Sequence, residues 1–384
     1  MEPFMDDLLP EIRIWRRQLH QMPELGFSEK RTARYIADRL TELDITVHGP
    51  FGGTGLVGEL KVGDSPRAIG LRAELDALPM TPPEEGKPAN PSIFDGNMHA
   101  CGHDGHMAIL LGAAAYLARS RDFNGTVYFI FQPAEENFAG ARKMLEDGLL
   151  ARFPMQGIYG LHNWPGLPVG QFASRVGAIM AAVDIFNITI NGQGGHGAMP
   201  HLAVDPMMPA IQAISAFQKI ISRQLSPLDS GVISVTRIRA GETFNIIPDH
   251  VEMLGSARSL TPETRSLLLA SMERVLSGTC AAHACTHKME IQTGYPATIN
   301  SAKESAKALQ AAALVEDSQV VDHLDPSMGS EDFSFFLEQI PGNYMWLGNG
   351  TEGAGLHSPH YRFNEDLIPL GVGYWVALVG RLLG

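Results

Sequence analysis

Gly125-Thr-Val-Tyr-Phe-Ile-Phe131, running on into Gln132-Pro133-Ala134-Glu135-Glu136, is the stretch that decides the fold. Its apolar residues do not alternate with polar ones, so both faces of the strand are expected to be covered. That is the mark of a parallel sheet flanked by helices. Two carboxylates follow directly, and in open α/β sheets sites form beyond the carboxyl ends of strands. Working outward, Thr54–Val62 and Arg67–Ala73 read as strands, the second ending at Glu74-Leu75-Asp76. Gly157-Ile-Tyr-Gly-Leu161 reads as another, ending at His162. Helices are expected over about 2–22 and 28–43 and after His103. The alternation predicts an α/β fold with an open, mostly parallel sheet.

Residues 178–293 have a different rhythm. Ala182–Asn191 alternates, a helix is expected at about 203–223, and strands near 231–240 and 249–258 follow. Thr261-Pro262 opens a helix to about 282, with Thr suited to the N-cap and Pro to the first turn. A strand near 287–293 completes β-α-β-β-α-β, the ferredoxin-like order. At 384 residues the chain exceeds one ordinary core. The expected layout is a discontinuous larger domain of 1–177 and 294–384 with an inserted α+β domain of 178–293. In the returning segment, helices are expected at 302–315, 331–339 and 366–383, with a strand at 344–347.

The composition is that of a globular protein, 45% hydrophobic and 18% charged. A net charge of −13 argues against nucleic acid or an anionic membrane as partner. No apolar run reaches the roughly 18 residues of a membrane helix. The acidic start carries no signal-peptide pattern. Three cysteines, Cys101, Cys280 and Cys285, make no disulfide framework, which points to a reducing cytoplasm.

The chemistry concentrates in His99-Ala-Cys-Gly-His-Asp-Gly-His106, which runs into an apolar helix. Such a cluster is costly to desolvate unless it binds something, and a divalent ion is the simplest occupant. Cys101 and His103 are two apart and can converge on one ion. His99 and His106 read as supporting groups, and Asp104 as the cap of the following helix. Glu135-Glu136, His162 and His357 complete a donor set at other strand ends, with His360 as the rival of His357. Carboxylates, imidazoles and one thiolate suit Zn, Mn, Co or Ni better than Ca or Mg. Of two adjacent carboxylates, one can bind the ion while the other takes a proton from water and hands it to a leaving amine. Glu331-Asp332 reads as a helix cap, with an active-site role as the alternative, and Cys280 and Cys285 read as packing residues.

Nine segments in order carry a family resemblance: Leu19–Gly26, Leu71–Pro79, Met98–His106, Phe131–Glu136, Gly160–Asn163, Gly194–His201, Asn245–Asp249, Gly329–Phe333 and Leu356–Pro359. In these the chain resembles the M20 family of metallopeptidases and amidohydrolases. It is most similar to the subgroup of hippurate hydrolases, N-acyl-amino-acid deacylases and auxin-conjugate amidohydrolases. The resemblance implies a metal-dependent amidohydrolase that cleaves N-acyl amino acids such as acetyl or benzoyl derivatives. It implies two divalent metal ions per subunit, with Cys101 bridging and His103, Glu136, His162 and His357 as the other ligands. Glu135 would be the general base and acid, and Asp76 would orient a ligand histidine. The insert would be a lid through which a homodimer forms, its His196 reaching the partner's site to stabilise the oxyanion, with Asn245 assisting. Arg258 is the candidate for gripping the substrate carboxylate. Two departures stand out: Glu74 replaces the subgroup's usual Asp, and the loop Thr81–Asn97 fits poorly. The alternatives are a dipeptidase or aminopeptidase of the same family, or a non-catalytic metal-binding homologue.

Overall fold

The computed structural model describes residues 2–83 and 96–384. Residues 84–95, which make up most of the atypical 81–97 loop, lie outside the described residues. The chain separates into two compact units. The larger comprises Met1–Ile179, Ile299–Asp325 and Asp332–Gly384, and the smaller Met180–Thr298 and Pro326–Glu331.

The larger unit is built on an eight-stranded mixed sheet. Its order is Thr46–Phe51, Gly55–Val62, Gly125–Gln132, Ala68–Glu74, Ile158–Pro165, Gly342–Gly350, Gln171–Ala173 and Gln319–Val321. Four neighbouring strands, from Gly125–Gln132 to Gly342–Gly350, are mutually parallel, so their carboxyl ends lie along one edge. The apolar stretch Gly125–Gln132 is buried at every position, as its lack of alternation requires. Leu71, Phe129, Phe131, Leu161 and Met345 join one core with helices Glu2–His20, His103–Ser120 and Leu367–Leu383. Side chains alternate along a strand, so Arg72, Glu74, Gln132 and His162 point to the opposite face. There the burden of burial falls on polar groups that must find partners.

Several elements differ from the sequence expectation. Ile158–Pro165 continues past His162, so that histidine sits within a strand. The final strand spans Gly342–Gly350, with Gly342, Asn343, Gly348 and Gly350 paired in the ladder and a register shift at Asn349. Short helices at Glu135–Phe138, Gly140–Glu146 and Leu149–Arg152 were not expected. The helix near 331–339 shrinks to Ser334–Leu337 with Phe333 at its N-cap, so Glu331-Asp332 does not cap it.

The smaller unit has a four-stranded antiparallel sheet in the order Gly231–Arg239, His250–Ser259, Ala182–Asn191, Thr286–Thr293. This is the ferredoxin-like arrangement. Helices Met207–Arg223 and Pro262–Ala282 close its separate core around Phe186, Phe217 and Met272. Thr261 Oγ1 accepts from Thr264 N–H, and Pro262 occupies the first turn. Asp184 lies on the buried face of its strand, where Arg265 holds it at 2.6 Å. No helix among the described residues is long and apolar enough to cross a membrane.

Candidate metal centre

The parallel strand ends deliver donors to one place. Glu74 ends its strand and Asp76 follows two residues on. Glu135 and Glu136 lie in the four-residue helix just beyond Gly125–Gln132. Cys101 and His103 flank Gly102, whose φ of 91° is open to glycine. A Cβ there would lie 2.3 Å from Asn163 Nδ2, so glycine is required for space as well.

Ligand atoms of Cys101, Glu136 and His357 lie within 4.8 Å of one another, as do those of His103, Glu135 and Glu136. Cys101 Sγ is also 3.4 Å from His162 Nε2. Both His357 and His360 are exposed, but His357 Nε2 approaches Glu136 Oε1 to 3.1 Å and joins that donor group, which separates the two rivals. Glu136 thus joins the two donor groups, and Cys101 spans from His357 to His162. A third group, Glu74, His103, His106 and His162, is equally tight. Two of its members are already committed. Asn163 N–H donates to His106 Nε2 at 3.0 Å, so His106 Nδ1 carries the proton and donates to Glu74 at 2.8 Å.

The remaining imidazoles are set to present lone pairs. His103 Nδ1 donates to the Asp76 carbonyl at 2.8 Å, with the Asp76 carboxylate 3.5 Å away. Its Nε2 is buried with no hydrogen-bond partner among the described residues. His162 Nδ1 donates to the Asn163 carbonyl at 2.7 Å, leaving Nε2 toward Cys101. Such second hydrogen bonds fix the ring and raise its strength as a ligand.

Electrostatics make the same point. Burial, then the charges of Glu136, Glu135 and Glu74, hold the Cys101 thiol well above its usual range. Burial opposes a charge on His103, but the Asp76 hydrogen bond and the charges of Glu74, Asp76 and Glu136 outweigh it and lift the ring to about 10. Burial and the neighbouring His106 hold His162 well below its usual value. The protein alone therefore stores a proton on His103 and keeps the thiol neutral. A divalent cation would reverse both tendencies, and the orphaned His103 Nε2 is the atom it would meet, so the donors fit a metal. The negative surroundings of Cys101 are opposite to those of an activated cysteine nucleophile.

A buried network braces these donors. Asp332 accepts from Arg72 at 2.9 Å, from Gln132 Nε2 at 2.8 Å and from the Ala141 amide at 2.9 Å. Arg72 also pairs with Glu74, which in turn holds His106. Burial pushes Glu74 up, but Arg72 and then His106 keep it well below its usual value. Asn163 Nδ2 donates to the Cys101 carbonyl at 2.7 Å, and Tyr361 hydroxyl donates to Asn163 Oδ1. Glu74 is thus a structural link, which gives the subgroup departure a role. Asp104 does not cap its helix. It is fully buried against Arg16 at 2.9 Å and His20 at 2.8 Å, tying down Glu2–His20. Among the described residues His99 is buried without a hydrogen-bond partner on either ring nitrogen, and burial holds it down at about 3.

Sequence reasoning gave no role to Arg72, Gln132, Asn163, Tyr361 or Glu29. Arg72 and Gln132 had a signal, as the polar members of otherwise apolar strands. Glu29 had none, yet it is fully buried, and burial lifts its carboxyl to about 7.

The other predicted residues lie in the smaller unit. His196 pairs across a two-stranded ladder with Ile246, next to Asn245. Asn245 Oδ1 accepts from Thr243 Oγ1 at 3.1 Å. Arg258 is half-buried and donates from Nη1 to the Met328 carbonyl at 2.8 Å.

Residues 70–381 match peptidase family M20/M25/M40. N-acetylcysteine deacetylase of Bacillus subtilis is 40% identical over 366 residues, 94% of this chain and 94% of the relative. Hippurate hydrolase of Campylobacter jejuni is 39% identical over 391 residues, 99% of each chain. A solved structure described as a dinuclear metal-binding peptidase of the M20 family, also from Bacillus subtilis, superposes with a TM-score of 0.87. It is 35% identical and covers 98% of this chain and 99% of that one. Identity at this level along nearly the whole length is common descent and not architecture alone, and the chain belongs to peptidase family M20/M25/M40.

Proposed function

We propose that this protein is a metal-dependent amidohydrolase that cleaves the amide bond of N-acyl amino acids, releasing a carboxylic acid and a free amino acid. One observation carries the reading: Glu136 joins the donor group containing His103 to the one containing Cys101 and His357, while its neighbour Glu135 faces the His103 side. Cys101, His103, Glu136, His162 and His357 hold two divalent ions drawn from Mn, Zn, Co or Ni. Ions held there supply Lewis-acid polarisation of the scissile carbonyl and acidify the attacking water. Glu135 takes the proton from that water as the C–O bond forms, and returns it to the nitrogen as the C–N bond breaks. Asp76 keeps His103 in the tautomer that leaves Nε2 as acceptor. His196, assisted by Asn245, steadies the oxyanion from the partner subunit of a homodimer formed through the lid, and Arg258 grips the substrate carboxylate. The unpaired state of all three cysteines accords with a cytoplasmic setting.

The test is turnover by the metal-reconstituted protein on a panel of N-acyl amino acids and dipeptides. Cleavage of the acyl amino acids that disappears with chelation supports the reading. Cleavage of dipeptides alone replaces it with a peptidase, and inactivity on every compound at full metal loading removes it.

A further inference from the structure

Glu29 stands at the N-cap of helix Lys30–Glu42, where a carboxylate would ordinarily cap the first turn. It makes no such side-chain bond. Its carboxylate instead reaches across the fold: Oε2 accepts from Thr54 Oγ1 at 2.6 Å, and Oε1 accepts from the Ala134 amide at 2.8 Å. Ala134 has a φ of 54°, a left-handed conformation that costs a non-glycine residue roughly 1–2 kcal/mol. It immediately precedes Glu135 and Glu136. Two residues on, the Glu136 amide donates to Asp76 Oδ2 at 2.9 Å. Two buried carboxylates thus grip the backbone of one short turn, at the residue before the proposed base and at the proposed ligand. A solvent-facing turn would leave those amides to water.

We infer that Glu29 is a positioning residue for the reaction, fixing the Ala134 turn and through it the aim of the Glu135 and Glu136 side chains. The inference rests on the roles given to those two residues above. Displacing a reacting group by about 1 Å can cost on the order of 100-fold in rate, so the turn needs an anchor of this kind.

The test compares Glu29→Ala with Glu29→Gln. Gln keeps an oxygen for the Ala134 amide and an N–H for Thr54, whereas Ala keeps neither. Glu29→Ala is expected to lower kcat on the order of 10- to 100-fold, with KM and bound-metal content close to native. Glu29→Gln is expected to restore kcat to within about threefold of native, since one neutral hydrogen bond replaces another. Amide exchange over residues 134–136 should quicken about tenfold or more in Glu29→Ala. A folded Glu29→Ala with native kcat overturns the proposal, even if its melting temperature falls. Should Glu29→Ala not fold, Glu29→Asp decides by the same readouts, because its shorter arm cannot span both partners. If the native protein cleaves nothing in the panel, the assigned function fails separately. Amide exchange then judges Glu29 alone, and unchanged exchange overturns its role.

Discussion

Glu135 and Glu136 are chemically identical neighbours, and what divides their labour is where the short helix after Gly125–Gln132 aims each one. Glu136 meets His357, while Glu135 lies near His103 on one side and near Glu331 and Asp332 on another. Replacing Glu135 by Gln preserves shape and removes the base, so kcat should fall about 100- to 10,000-fold with metal content and melting temperature unchanged. Metal analysis beside steady-state kinetics checks this, and native turnover by the variant would exclude Glu135 as the base. Glu29 allows a second test. Its carboxyl titrates near 7 when folded against an ordinary 4.5. The folded chain therefore keeps a proton that the unfolded chain has released, and stability falls as pH rises through that window. Glu29→Gln removes the penalty, so in the chelated protein the variant should gain roughly 2 kcal/mol relative to native between pH 5 and pH 8. Urea titrations at the two pH values measure it, and a difference independent of pH would contradict it. Cys101 and His103 were legible because their partner lies two residues away. Glu29 was not, because its partners, Thr54 and Ala134, lie 25 and 105 positions on.

Among the elements, helix His103–Ser120 shows how packing overrides propensity. It is buried from His103 through Leu117, which its unbroken apolar run foretold. Gly105 in its first turn looks like a defect, since Gly costs a helix about 1 kcal/mol against Ala. Yet a Cβ at Gly105 would sit 2.2 Å from the Phe363 ring, which is itself buried against His106 and Arg16. Overpacking of that kind costs about 1–3 kcal/mol and outweighs the propensity gain. Gly105→Ala should therefore destabilise the protein, and because His106 is next in sequence it should also weaken metal retention. Denaturant unfolding and metal release on dilution check the two parts, and a more stable variant would show that Phe363 yields. Elements with their own local signal, such as the unbroken apolar run of Gly125–Gln132 and the Thr261-Pro262 start of Pro262–Ala282, were readable in isolation. The three-residue strands Gln171–Ala173 and Gln319–Val321 were not, because they are strands only by virtue of the neighbours that pair with them. Gly342, Asn343, Gly348 and Gly350 misled for the same reason: ladder pairing settles their conformation, not local preference.

At the scale of the whole molecule, each unit has its own core, one around the eight-stranded sheet and one around Phe186, Phe217 and Met272. The proposed ligands Cys101, His103, Glu136, His162 and His357 all belong to the larger unit. Metal should therefore stabilise the larger unit selectively, and the chain need not melt in a single step. The sequence supplies the means to see this. All four tryptophans, Trp15, Trp164, Trp346 and Trp375, fall in the larger unit, so tryptophan fluorescence follows it alone while far-ultraviolet circular dichroism follows both. An ion at 100 times its dissociation constant adds about 2.7 kcal/mol to the state that binds it. For a unit of this size that is a rise of roughly 5–10 °C in the fluorescence midpoint. The part of the dichroism transition not matched by fluorescence should stay in place. In Cys101→Ala the metal-induced rise should shrink, because one donor common to both sides of the site is gone. A fluorescence midpoint indifferent to added metal would remove the metal centre from the larger unit. Equal shifts of both probes would mean that the two units melt together, so that the smaller one draws on the metal's stabilisation as well.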